Sequence, residues 1–499
     1  MREIVDALAA VSPEQAVLAA VFLPFIGAVL AVLAGRSPNF REFLTLLTSV
    51  LTFGAVLKLA ADGLPPGEIV LVQMLPGLDV KFAAEPLGLV FALIASGLWI
   101  VASLYSIGYM RGNREHNQTS FYAWFAVSIG SALGLAFSGN LLTLFVFYEV
   151  LTVATYPLVT HAGTEEAKAG GRTYLGLLLG TSILFLLLAI VWTYVLTDTL
   201  DFAPGGILAG HAGPGLIVAL LVLYMYGIGK AALMPLHSWL PAAMVAPTPV
   251  SALLHAVAVV KAGVFTVVKV IVYIFGVDLL VSVPGTEWLA WVAGFTVIAA
   301  SLVALTQDNL KKRLAYSTVS QLSYVVLAAA VLTPLAIAGA VLHIVAHAFG
   351  KITLFFGAGA IATASGKKYI SQLDGIGRRM PWTMGAFAVA VISMIGLPPT
   401  AGFVSKWYIL QGAIAAEHAL AVTVLVLSTL LNTAYFVPIV YRAFFRAPPE
   451  GSTPHGEAPF ASVLALTVTA ALTLAFFIWP GAFLALAQQV ADAGTGGSP

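Results

Sequence analysis

The chain has 499 residues, of which 60% are apolar and 9% charged, and its formal net charge is +1. Soluble domains carry about 25% charged residues, so water is not the solvent for most of this surface, and so balanced a charge offers no basic face to nucleic acid. There is no cysteine, which excludes a disulfide framework, a thiolate zinc site and an iron–sulfur cluster held by this chain.

These features predict an all-α polytopic membrane protein. A helix needs about 20 apolar residues to cross about 30 Å of hydrocarbon. About fourteen transmembrane helices fit, with limits near 16–34, 40–60, 86–110, 121–138, 140–161, 172–197, 216–245, 249–276, 287–306, 313–332, 335–363, 382–412, 419–446 and 460–487. The first follows an acidic stretch (Glu3, Asp6, Glu14) and lacks an Ala-x-Ala cleavage site, which predicts a retained helix and not a signal peptide. Basic residues favour cytoplasmic loops, and loops must alternate sides. Of the 23 Lys and Arg, fifteen fall on one set of loops, three (Arg2, Lys58, Lys81) on the other and five inside spans. The expected placement is the cell inner membrane, multi-pass, with both termini on the outer side and the lipid bilayer as solvent.

Charges inside the spans are the next signal. Five deep ones, at Glu149, Lys230, Lys261, Lys351 and Lys406, would cost about 12–18 kcal/mol on insertion scales. That rivals a typical net stability of about 5–15 kcal/mol, so they must face partners or water. Glu149, in Leu-Leu-Thr-Leu-Phe-Val-Phe-Tyr-Glu-Val, is the one carboxylate in mid-span; it reads as a structural ion pair or as a coupling group. Lys230 lies in Gly-Ile-Gly-Lys-Ala-Ala-Leu-Met-Pro-Leu-His-Ser-Trp-Leu-Pro, where Pro235 interrupts the seventh stretch and frees polar backbone. His237, just past that break, reads either as a relay or as a cap on the opened turn.

On the eighth stretch His255 and Lys261 are candidate carriers, while Lys269 lies nearer the span's end, where a lysine can snorkel. On the eleventh, His343, His347 and Lys351 step by four residues, so they share one face over about 12 Å. Such a string suits a proton relay; packing or a haem ligand are the alternatives, and adjacent turns of one helix cannot supply opposite axial ligands. The twelfth stretch repeats the break in Ile-Gly-Leu-Pro-Pro-Thr-Ala-Gly-Phe-Val-Ser-Lys-Trp, with Lys406 following Pro398 and Pro399. Stretches seven and twelve are an odd number of spans apart, so two five-helix units, 4–8 and 9–13, would be inverted repeats. Interrupted helices at matching places in inverted halves point to an ion path.

Three motifs together, Lys-Ala-Ala-Leu-Met-Pro-Leu-His-Ser-Trp-Leu-Pro from Lys230, Ala-Pro-Thr-Pro-Val-Ser-Ala-Leu-Leu-His from Ala246 and Gly-Leu-Pro-Pro-Thr-Ala-Gly-Phe from Gly396, resemble the proton-translocating antiporter-like family. That family includes large membrane subunits of respiratory complex I, of membrane-bound hydrogenases and of Mrp-type cation/proton antiporters. The resemblance implies N-terminal helices over 1–120, a first five-helix repeat over 121–280, a second over 281–446 and a C-terminal helix over 447–499. It also implies a Glu149–Lys230 pair and a central axis through Lys261, His343, His347 and Lys351, ending at Lys406. Length and Lys406 most resemble the D-type chain of an Mrp-type antiporter.

The implied function is proton conduction in a multisubunit Na+/H+ antiporter, or in a complex I-type or hydrogenase assembly. The implied partners are other membrane subunits, and no cofactor is called for. If Glu149 withdraws from Lys230, the lysine loses affinity for its proton and passes it along the axis. Sodium wants several oxygen ligands, so a single deep carboxylate predicts that the cation crosses elsewhere or at a subunit boundary. An electron-transfer subunit whose histidines hold a cofactor, and an inert scaffold, are the rival classes.

Overall fold

The computed structural model describes residues 11–64, 67–75, 78–449 and 454–496. Arg2, Glu3 and Asp6 lie outside them. The chain folds as an almost entirely helical bundle, and eleven helices among the described residues are long and apolar enough to cross a membrane.

The first two, α1 (Pro13–Leu33) and α2 (Pro38–Asp62), form an antiparallel pair on the bundle's flank. Proline at the first turn of each suits a position where no amide donor is needed, and Ser12 and Gln15 close a capping box on α1. A short antiparallel hairpin follows, β1 (Glu68–Leu75) and β2 (Leu78–Ala83), with Val70 opposite Lys81. Hydropathy alone places this stretch in a connector between spans; its β-branched residues favour a pleated pair. Lys81 pins the hairpin with ion pairs to Glu68 at 2.7 Å and Asp201 at 2.8 Å.

Next come α3 (Pro86–Gly112), α4 (Gln118–Ala136), α5 (Leu141–Val159) and α6 (Glu165–Thr197), the last with a π-helical turn at Ser182–Leu186. The expected seventh stretch is broken. Helix α7 (Pro214–Gly227) stops at Ile228, and the chain runs through single turns at Gly229–Ala231 and Trp239–Ala242. Pro235 has no amide to donate and cannot continue a helical ladder, and Lys230 lies in the opened segment between Ile228 and that proline.

Helix α8 (Thr248–Phe275) is buried along its whole apolar stretch, and α11 (Pro334–Ser365) is buried along almost all of its own. These two form the bundle's centre. Between them in sequence lie α9 (Trp288–Thr306) and α10 (Leu310–Ala330). Helix α10 falls short of the others in apolarity because Ser317, Thr318, Ser320, Gln321, Ser323 and Tyr324 crowd its middle, all of them buried. At 32 residues α11 is about 48 Å long. Thr333 caps its start, Pro334 takes the first turn and Gly366 ends it in a left-handed conformation.

The twelfth stretch divides into α12 (Pro381–Ile395) and α13 (Ala401–Ala415), parted by Gly396 and the two prolines. Then follow α14 (Ala419–Phe445) and α15 (Phe460–Ile478). The last expected span, 460–487, ends early: Pro480 carries no amide to continue the ladder, and a separate helix α16 (Gly481–Gly494) packs against α3 and α11.

Candidate functional site

Lys230 is fully buried. Its Nζ donates to the Tyr148 carbonyl at 2.8 Å and to Thr152 Oγ1 at 2.6 Å, and it lies 3.1 Å from the centroid of the Tyr148 ring. The Lys230 amide donates to the Tyr148 hydroxyl at 3.2 Å. Gly263 of α8 packs directly on the Lys230 backbone, where a Cβ would collide with it. Glu149, next to Tyr148 on α5, is not in a direct ion pair with Lys230: both carboxylate oxygens are buried with no hydrogen-bond partner among the described residues. Its neighbours on the same turn, Val146 and Val150, point to the bundle's exterior. So the two residues that the resemblance couples are brought close in the fold, but neutral oxygens of α5 hold the lysine.

Lys261 of α8 reaches α11, with Nζ 2.7 Å from His347 Nδ1. The His347 and His343 rings lie 6.2 Å apart, as a four-residue step requires. His343 uses both nitrogens: Nδ1 is 2.9 Å from Ser405 Oγ on α13 and Nε2 is 3.0 Å from Gln321 Oε1 on α10. The residue after Ser405 is Lys406, so the histidine string runs into the second break. Lys406 Nζ donates to the carbonyls of Met394 and Ile395 at 3.0 and 2.9 Å, and to the Tyr324 hydroxyl at 3.4 Å. Those carbonyls close α12, and helix C-termini carry about half a negative charge that a cation neutralises. Gly396, at φ +95°, makes the turn possible and leaves room for the lysine stem.

Lys351 shares the α11 face but turns to α10, donating to the Ser317 hydroxyl and to the Leu314 carbonyl at 3.2 Å. His255 sits in a π-helical turn of α8 (Leu253–Val257), 4.6 Å from the Phe355 ring centroid, and both its nitrogens are buried without a partner among the described residues. His237 stands apart and half-buried, Nδ1 3.3 Å from the Pro235 carbonyl; it rests on the opened turn.

Lys269 does not snorkel. It is fully buried and ion-paired to Glu85 Oε1 at 2.7 Å, with a further bond to the Ser138 carbonyl at 2.9 Å. Glu85 precedes α3 in a loop, 184 positions away in sequence, which hid the pairing. The polar run on α10 was the legible signal for Ser317, Gln321 and Tyr324 as partners of the buried bases.

Comparison with known proteins settles the family. Residues 138–432 match the family described as NADH:quinone oxidoreductase/Mrp antiporter, TM. The chain belongs to that family. It is 34% identical over 427 residues to NADH-quinone oxidoreductase subunit N of Desulforudis audaxviator, covering 82% of this chain and 84% of that one. It is 28% identical over 371 residues to the D-type chain of the Na(+)/H(+) antiporter of Alkalihalophilus pseudofirmus, covering 73% of each. Its fold matches a chain in the structure of the Mrp complex from Dietzia sp. DQ12-45-1b with a TM-score of 0.86 at 20% identity, over 97% of both chains. This family member is therefore an antiporter-like, multi-pass membrane subunit of the kind found in Mrp and complex I-type assemblies.

Proposed function

We propose that this subunit carries protons through the bilayer along Lys261, His347, His343 and Lys406, with Lys230 and Glu149 as the coupling end and Lys351 and His255 as the entry from the basic side. The observation that carries this reading is the series from the Lys261–His347 hydrogen bond, through the neighbouring His347 and His343 rings 6.2 Å apart, to the hydrogen bond between His343 and Ser405 at the second break. Every base in it is met by a neutral oxygen or another base, so a proton can reside on any of them without being locked by a carboxylate. The unpartnered nitrogens of His255 and His347 support water as the link where side chains do not touch.

The two breaks support inverted five-helix halves over 121–280 and 281–446, and the uneven loop charges support an inner-membrane placement with the basic loops inside. The fuller identity to an N-type chain of a quinone oxidoreductase favours a redox-driven assembly. Sodium/proton exchange is the second reading, favoured by the likeness to the D-type antiporter chain.

The test is proton uptake into everted vesicles holding the whole complex, measured by dye quenching. Lys261→Ala and His347→Ala should each reduce uptake to background at normal membrane levels, and His211→Ala should leave it intact. Undiminished uptake in Lys261→Ala would remove the central axis. Uptake started by an electron donor favours the first assembly, and uptake started by a sodium gradient favours the second.

A further inference from the structure

We propose that Glu115, His116 and His161 form a binding site for a divalent transition-metal ion of the zinc type. Among the described residues these three side chains are the group whose donor atoms all lie within 4.8 Å of one another. Two connections supply them. Glu115 and His116 lie in the turn between α3 and α4, and His161 lies two residues beyond α5.

The geometry fits one ion. The His116 and His161 ring centroids are 5.0 Å apart, and two imidazoles bound tetrahedrally at about 2.0–2.1 Å hold their centroids roughly 5 Å apart. His161 Nε2 is buried and has no hydrogen-bond partner among the described residues, although a buried ring nitrogen normally has one. The His161 ring is held from another side by Phe121, edge-on at 6.0 Å, so the nitrogen is presented rather than free to turn away. Glu115 is half-buried and His116 exposed, which leaves an approach from solvent.

The donor set selects the metal. Two imidazoles and one carboxylate, with no thiolate in a chain without cysteine, suit Zn2+ or Co2+ with a fourth position open, whereas Mg2+ and Ca2+ prefer six or more oxygens. Glu115 and Ala162 also line a cleft of about 720 Å³ with Lys311, Lys312, Lys367 and Lys368. A bound ion would tie the α3–α4 turn to the end of α5 at the rim of that cleft.

The experiment uses the purified full-length chain in lipid nanodiscs with any affinity tag removed, titrated with ZnCl2 by calorimetry and with CoCl2 by visible absorption. One Zn2+ per chain is expected, with visible cobalt bands of a four-coordinate nitrogen and oxygen site. His161→Ala, His116→Ala and Glu115→Gln should each weaken binding by at least about 10–100-fold, the range for losing even a group that only supports a ligand, while His211→Ala should not. His116 is exposed, so its variant tests the site without disturbing the core. The proposal is overturned if zinc does not bind, if His116→Ala and His161→Ala bind it as tightly as the parent chain, or if CaCl2 binds equally well.

Discussion

At the break after α7 the lysine reaches outward to a different helix, while at the break between α12 and α13 it reaches back across its own gap. Lys230 is fully buried, lies on the Tyr148 ring and takes its oxygens from Tyr148 and Thr152. Lys406 is 8% exposed, caps the last carbonyls of α12 and borders an apolar cleft of about 270 Å³ between α13 and α14. The first lysine therefore depends on how α5 sits against α7, and Glu149 is one residue from its carbonyl partner. The second depends on the carbonyls of its own break and on Tyr324 of α10, and on nothing from α5. A shift of α5 would alter Lys230 and leave Lys406 unchanged, which is the asymmetry expected of a coupling end and a release end.

The largest effect should come from charge reversal at the second break. Lys406→Glu places a carboxylate against two carbonyl oxygens and should abolish both the cap and proton uptake. Lys406→Ala should also lose uptake yet insert normally: the Met394 carbonyl keeps Gln321 and Asn432, the Ile395 carbonyl left unsatisfied costs about 1–3 kcal/mol, and the buried lysine itself costs about 2.5–3.5 kcal/mol on insertion scales. The two nearly cancel. Uptake at parental rate in Lys406→Ala would show that this lysine carries no proton.

Lys269 sharpens the contrast, because among the described residues it alone of the buried lysines in the spans has a carboxylate in contact. Glu85→Ala leaves that ammonium buried and unpaired, which costs about 3–5 kcal/mol when one member of a buried pair is removed. Thermal unfolding of the purified chain should show a clear fall in Tm. Lys230→Met, which breaks no direct ion pair and leaves the Tyr148 carbonyl and Thr152 as the groups it touched, should lower Tm less. Equal losses would mean that Lys230 is also held by a charge.

Glu149 and Lys230 come next. Contacting residues couple by about 0.5–3 kcal/mol in double-mutant cycles, and a pair without direct contact belongs at the lower end, near 0.5–1 kcal/mol. The cycle of Glu149→Gln, Lys230→Met and the double variant, read in uptake rate, should give that value. Full coupling would indicate that the carboxylate swings onto the lysine during turnover.

Much of this arrangement is legible along the chain. Helix starts at Pro13, Pro86, Pro214 and Pro334 and the two breaks follow from proline chemistry, and the positions of the buried bases follow from charge in an apolar run. The partners are not legible, because they come from distant segments: Thr152 is 78 residues from Lys230 and His347 is 86 from Lys261. Whether a mid-span lysine meets a carboxylate, a carbonyl or a ring depends on helix rotation and neighbour order, and hydropathy carries neither. Pro480 is readable as a helix end, but the apolar run continues beyond it and masks the stop.

The smallest effect compares the tyrosines at the two breaks. Among the described residues the Tyr148 hydroxyl accepts the Lys230 amide alone, at 3.2 Å, whereas of Tyr148 the lysine's Nζ uses the carbonyl and the ring face. Tyr148→Phe keeps both of the latter, so it should cost no more than a net hydrogen bond, about 0.5–1.5 kcal/mol. At the other break the Tyr324 hydroxyl joins Ser428, Asn432 and Lys406, which keep their other partners, so Tyr324→Phe removes several net hydrogen bonds at once, each worth about 0.5–1.5 kcal/mol. Tm and uptake rate should therefore fall more for Tyr324→Phe than for Tyr148→Phe. Tyr148→Leu adds the loss of the ring, worth about 2 kcal/mol for a desolvated cation, and should separate clearly from Tyr148→Phe. If Tyr148→Phe and Tyr148→Leu behaved alike, the ring would not be what holds Lys230, and the first break would rest on the carbonyl and Thr152 alone.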